Sequence, residues 1–115
     1  MAGTDKPLIW LHEAVKSPPF SAAARLEAGV LLRRLQRGER LSMPHSRPMS
    51  SVGSQCHELR IPDVTATWRI VYRLDPDAIV IAEVFSKKTQ ATPRQVIQVC
   101  QRHLRAYDLA AREEE

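Results

Sequence analysis

Residues 65–85, TATWRIVYRLDPDAIVIAEVF, decide the fold. In the first ten, Trp68, Ile70, Tyr72 and Leu74 fall on one face and Arg69, Val71 and Arg73 on the other, the period-two pattern of a strand with one buried side. Asp75-Pro76-Asp77 is a turn. Ala78 to Phe85 is nearly apolar on both faces, which suits a central strand. Just upstream, Cys56 to Ile61 (CHELRI) reads as a further strand, closed by Pro62-Asp63. The connections between these segments are short, which favours an antiparallel meander.

Towards the N-terminus, Pro7 to His12 (PLIWLH) is a short apolar run and reads as a first strand. Ser17-Pro18-Pro19-Phe20 interrupts it, and Ser21 opens a helical stretch that lasts to Gln36. On a helical wheel Ala24, Ala28, Leu31, Leu32 and Leu35 share one face, while Arg25, Arg33, Arg34 and Arg37 lie away from it. Leu26 and Val30 sit among the arginines, either to touch another element or to stand exposed for a partner. Gly38 occupies the place where a helix commonly ends in a left-handed residue. Residues 41–55 are rich in Ser, Pro, Gly and His and form a loop longer than most connections, a sign of a functional segment. Towards the C-terminus, Thr92-Pro93-Arg94-Gln95 is a capping box with proline at the first helical position. Val96, Val99, Cys100, His103, Leu104 and Tyr107 then repeat at three-and-four spacing. The expected tail, 109–115, is charged and frayed. Together these elements predict one α+β domain over 1–115, with its core at about 6–108. A small antiparallel sheet, of an N-terminal strand and a three-stranded meander, would pack with an N-terminal helix or helical hairpin and a C-terminal helix.

The formal net charge of +4 fits an anionic partner, nucleic acid first. Cys56 and Cys100 lack any CxxC partner and read as free thiols in a reducing compartment. The first six residues contain no apolar signal core, and Ala78 to Phe85 is too short to span a bilayer, so the expected location is the cytoplasm, away from membranes. Zinc is not suggested, because the adjacent pair Cys56-His57 lacks ligand spacing beside Cys100 and His103. The four glycines are scattered and form no phosphate loop. Glu58 and Glu83 lie on different strands and support no paired-carboxylate site. Neither a metal nor an organic cofactor is expected. Trp10 and Trp68 read as core residues, with stacking on a base as the alternative.

Arg60 and Arg69 sit on consecutive strands, Arg73 shares the Arg69 face, and Lys87 and Lys88 follow the central strand. If the strands are neighbours, these cations gather on one side of the sheet, where guanidinium forks and ammonium groups suit a phosphate. The competing reading is a merely solvated sheet face. By residue type His45 and His57 are candidates for proton transfer, although by parity His57 projects opposite to Arg60. His103 and Tyr107 share the core stripe of the last helix.

Phe85-Ser86-Lys87-Lys88-Thr89-Gln90-Ala91-Thr92-Pro93 resembles the F-x-K-K-T-Q-x-T-P signature of HigB-like toxins, the phage-derived branch of the RelE/ParE superfamily of type II toxin-antitoxin systems. Glu58-Leu59-Arg60 and Trp68-Arg69-Ile70-Val71-Tyr72 match two further motifs in the same order, so the resemblance spans about 6–108. It implies a RelE-like fold and a metal-independent endoribonuclease. Such an enzyme cuts mRNA on the ribosome by attack of a 2′-hydroxyl on its adjacent phosphate. It also implies a small antitoxin partner of helix-turn-helix type. In that chemistry Arg60 and Arg69 hold and stabilise the phosphate, and Lys87 and Lys88 bind backbone or assist proton transfer. Arg47, Arg73, His45 and His57 are the accompanying RNA-binding candidates. The general base stays open among His45, His57 and Tyr107. The same fold also serves ParE-like inhibitors of DNA gyrase that cleave nothing, and a noncatalytic nucleic-acid-binding module is the third alternative.

Overall fold

Short, directly neighbouring strands and two amphipathic helices generate the observed order: β1 (Leu8–Trp10), α1 (Ala22–Gln36), β2 (Ser46–Pro48), β3 (Cys56–Pro62), β4 (Thr67–Leu74), β5 (Ile79–Lys87) and α2 (Arg94–Glu113). The computed structural model describes residues 5–11, 20–64, 66–87 and 92–113. It is an α+β fold, as the patterning predicts. The five strands form one sheet in the order β1-β5-β4-β3-β2. The β3-β4-β5 meander is antiparallel throughout, with Arg60 opposite Arg69 and Arg69 opposite Phe85. Two features correct the sequence reading, which expects an antiparallel sheet and a loop over 41–55. β1 pairs in parallel with β5, so β5 has a neighbour on each side and the sheet is mixed. β2 lies inside the predicted 41–55 loop and pairs antiparallel with β3, placing Arg47 opposite Glu58. Between β4 and β5 the register shifts at Val71/Tyr72, leaving Ala82 as the extra residue of a bulge.

The helices cover opposite faces of the sheet. On one, Leu59, Ile61, Ile70, Tyr72, Ile79 and Ile81 pack against Ala24, Ala28, Leu31, Leu32 and Leu35 of α1, the residues that the helical wheel selects. On the other, Cys56, Val71, Val80 and Ala82 pack with Cys100 and Leu104 of α2. The Arg69-Val71-Arg73 face of β4 is therefore covered, not solvated. Both cysteines are buried and free. Burial pushes the Cys100 thiol up to about 12.

Local chemistry fixes both ends of α1. Ser21 Oγ accepts the Ala24 N–H at 3.1 Å, a serine N-cap. Asp63 in the β3-β4 turn accepts the Ser21 N–H and the Trp68 indole N–H, each at 3.0 Å. These bonds, led by those from Ser21, hold its carboxyl at about 2. At the other end Glu39 N–H bonds to Arg34 O and Gly38 N–H to Leu35 O, a Schellman arrangement in which Gly38 has a φ of 94°. Gly29 in mid-helix is different, because a Cβ there would meet nothing within 4 Å. Gly29→Ala should therefore raise folding stability by about 0.5–1 kcal/mol, the ordinary gain for a helix interior. An unchanged or lower urea midpoint would contradict this.

The remaining expectations shift in detail. α2 begins at Arg94, where the Pro93 carbonyl accepts from Val96 and Ile97, and continues through the expected frayed tail to Glu113. Trp10, expected in the core, is 45% exposed on the short β1. Trp68 is partly buried and meets Phe20 edge to face at 4.6 Å. His12, 17–19 and Lys88 lie outside the described residues. Among those described, no helix is long and apolar enough to cross a membrane.

Candidate functional site

A buried carboxylate organises the end of the sheet nearest the start of α2. Glu58 on β3 is fully buried and projects to the α2 side. Its Oε1 accepts from Arg69 Nη1 at 2.8 Å and from Arg47 Nε at 3.0 Å. Its Oε2 accepts from the Thr92 hydroxyl at 2.6 Å, and that hydroxyl is also approached by Arg47 Nη2 at 3.4 Å. One acidic group thus ties β2, β3, β4 and the approach to α2 together. The Thr92 side chain, expected to cap α2 along the backbone, instead donates into this cluster.

The strand register explains why a carboxylate is needed there. Arg60 and Arg69 are direct cross-strand partners on one face, a juxtaposition of like charges that is unfavourable without a counter-ion. Glu58 supplies that counter-ion to Arg69, whose side chain is only 2% exposed. Two guanidinium groups share the Glu58 carboxylate, Arg60 lies on the same face opposite Arg69, and Glu83 stands across β4 from Glu58, each of the two glutamates opposite Val71. The first turn of α2 begins two residues after Thr92 and adds the positive end of a helix dipole.

The expected site residues divide into three groups. Arg47, Arg60 and Arg69 come together at this end. Arg60 is half-buried, and the Arg47 side chain is 29% exposed and so reachable from solvent. Lys87 enters by its register position opposite Thr67, two residues beyond Phe85, the partner of Arg69. His45 also belongs here: its carbonyl accepts the Arg60 N–H at 2.8 Å, continuing the β2-β3 ladder by one step. Its imidazole therefore starts from backbone adjacent to Arg60.

Arg73 lies apart, about 13 Å further along β4. Asp75 and Asp108 clamp its guanidinium through four hydrogen bonds of 2.7–3.0 Å. Those carboxylates, Asp108 first, raise its already high pKa further, and the Arg73 guanidinium in turn lowers that of Asp108. Tyr107 is nearby and partly packed against the α2-side core, as its spacing suggests.

His57 occupies the opposite face, as parity predicts. Its ring stacks on Tyr72 at 5.4 Å, and the Tyr72 hydroxyl shares a 2.7 Å hydrogen bond with Ser46. Burial, and secondarily Arg40, lower the His57 pKa below its usual 6.5. The folded chain therefore holds this proton less tightly than the unfolded chain. Stability is full above the unfolded value and falls as pH drops below 6.5. A urea midpoint that declines over this interval, and declines less in His57→Gln, is the expected result; equal declines would contradict it.

The sequence reading missed the role of Glu58 as the hub, although the Glu58-Leu59-Arg60 motif singled the residue out. Its position on an alternating strand gave no sign that α2 closes over that face. Residues 19–105 match the family model described as Phage derived protein Gp49-like (DUF891), about three quarters of the chain. Comparison with the curated proteins and with the solved structures gives no match. By this match, which takes in α1, β2 to β5 and the first half of α2, the chain belongs to the Gp49-like family of phage-derived proteins, a family associated with toxin-like proteins of the RelE type.

Proposed function

We propose that the protein is a HigB-like toxin that cleaves mRNA, using the basic end of the sheet as its phosphate site. The carrying observation is the convergence of Arg47 and Arg69 on one buried carboxylate, with Arg60 opposite Arg69 on the same face and beside the backbone of His45. Arg60 and Arg47 would hold the non-bridging oxygens of the scissile phosphodiester, and Lys87 and Lys88 would follow the RNA backbone. Arg69 is already engaged by Glu58, and its part is to fix the carboxylate that orients Arg47. The 2′-oxygen attacks phosphorus, the bond to the 5′-oxygen breaks, and a cyclic phosphate and a 5′-hydroxyl result. His45 is the best-placed group to carry a proton in this exchange. The guanidinium groups offset the charge that develops on the phosphate oxygens. Arg73, held by two carboxylates, reads as a clamp between β4 and α2. His57 lies across the sheet from the proposed cleft.

Expression of the chain in growing cells, followed by mapping of transcript 5′ ends, tests this reading. New ends inside coding regions, lost in His45→Gln, are expected. Intact transcripts in cells arrested with damaged DNA would favour the gyrase reading instead. The expected protein partner is a small antitoxin, in keeping with the toxin-like character of the family.

A further inference from the structure

We propose that the outer face of α1 is a docking surface for an acidic amphipathic helix of a partner protein. The inference does not depend on the ribonuclease reading, since it uses a different face of the molecule. Opposite its buried stripe, α1 carries Leu26 and Val30, which are 71% and 51% exposed, with Gly29 between them on the same face. Adjacent exposed apolar side chains of this size on successive turns leave an unpartnered strip. Gly29 flanks it one turn on from Leu26, and a Cβ there would meet no described atom within 4 Å. A missing side chain there leaves a shallow saddle in which a second helix backbone can approach closely.

The rim identifies the occupant. Arg25, Arg33 and Arg37 border the strip, and residues 22–40 contain five arginines against two glutamates. Arg33 does pair with Asp5 at 2.8 Å, but that pair is largely solvent-exposed and can exchange for another carboxylate at little cost. A second copy of this chain would bring its own arginine row against this one, an unfavourable match. RNA would leave Leu26 and Val30 facing phosphates. A helix with an apolar seam flanked by Glu or Asp satisfies both the strip and its rim. Such a helix would need about four turns to run the length of α1.

The test uses a stapled synthetic peptide of about 16 residues, with a leucine seam flanked by glutamates, and measures its binding to the full chain by fluorescence anisotropy. Binding is expected to weaken by at least about tenfold in Leu26→Glu and in Val30→Glu, and to fall as salt rises. Gly29→Leu separates helix docking from mere stickiness. It adds apolar surface, so a nonspecific patch would bind the peptide more tightly, whereas a filled saddle binds at least about tenfold more weakly. A peptide with lysines in place of the glutamates should fail to bind. Equal binding of the two peptides, tighter binding by Gly29→Leu, competition by RNA alone, or a dimer of the chain disrupted by the same substitutions would overturn the proposal.

Discussion

Glu58→Ala is expected to cost the fold about 3–5 kcal/mol, measured as a fall in urea-unfolding free energy. The carboxylate is completely buried and accepts from Arg69, Arg47 and Thr92. Its removal takes from Arg69, itself 2% exposed and placed opposite Arg60, the carboxylate oxygen 2.8 Å from its guanidinium. The penalty is that of a buried charge losing its closest carboxylate, not the net value of the ion pair. Replacing both members together, as in Glu58→Leu with Arg69→Met, should therefore recover most of the loss. A Glu58→Ala variant within about 1 kcal/mol of the parent would show that the cluster does not hold the strands and α2 together.

Arg60→Ala is expected to lower RNA cleavage on the order of 10²–10³-fold in single-turnover measurements while leaving the fold in place. Arg60 is half-buried, is placed opposite Arg69 by the β3-β4 register, and lies alongside the His45 backbone. Its loss removes a cation aimed at the proposed phosphate without uncovering Glu58. Arg73→Ala is the internal comparison. Asp75 and Asp108 already hold that guanidinium at the far end of β4, so cleavage should stay within a few-fold of the parent. If the two variants fell equally, or if Arg60→Ala kept its activity, the phosphate site would lie elsewhere.

Much of this architecture is legible in the sequence because period alone specifies it. The five core residues of α1, its serine cap and its Gly38 terminus follow from local spacing and from one residue that tolerates positive φ. The same holds for the faces of β4, where Ile70 and Tyr72 point to α1 and Arg69 and Val71 to α2. What escapes is non-local. β2 is three residues, Ser46–Pro48, too short to show alternation and recognisable only by its pairing with β3. Glu58 resembles any solvent-facing carboxylate until α2 is folded over it and Thr92 arrives from 34 positions away. Arg73 resembles a phosphate ligand until Asp108, 35 positions on, closes on it. Trp10 looks like core by hydropathy, yet β1 is a short edge strand that leaves it half outside. The site candidates that share a strand end were readable by register; their counter-ions were not.

The most direct measurement is the chemistry of RNA ends produced when the purified chain is added to a translating cell extract. Fragments that end in a 2′,3′-cyclic or 3′-phosphate on one side and a 5′-hydroxyl on the other, absent with Arg60→Ala, are the predicted outcome. Transcripts that remain full-length, or cuts that persist undiminished without Arg60, would contradict the assignment of that strand end as an RNA-cleaving centre.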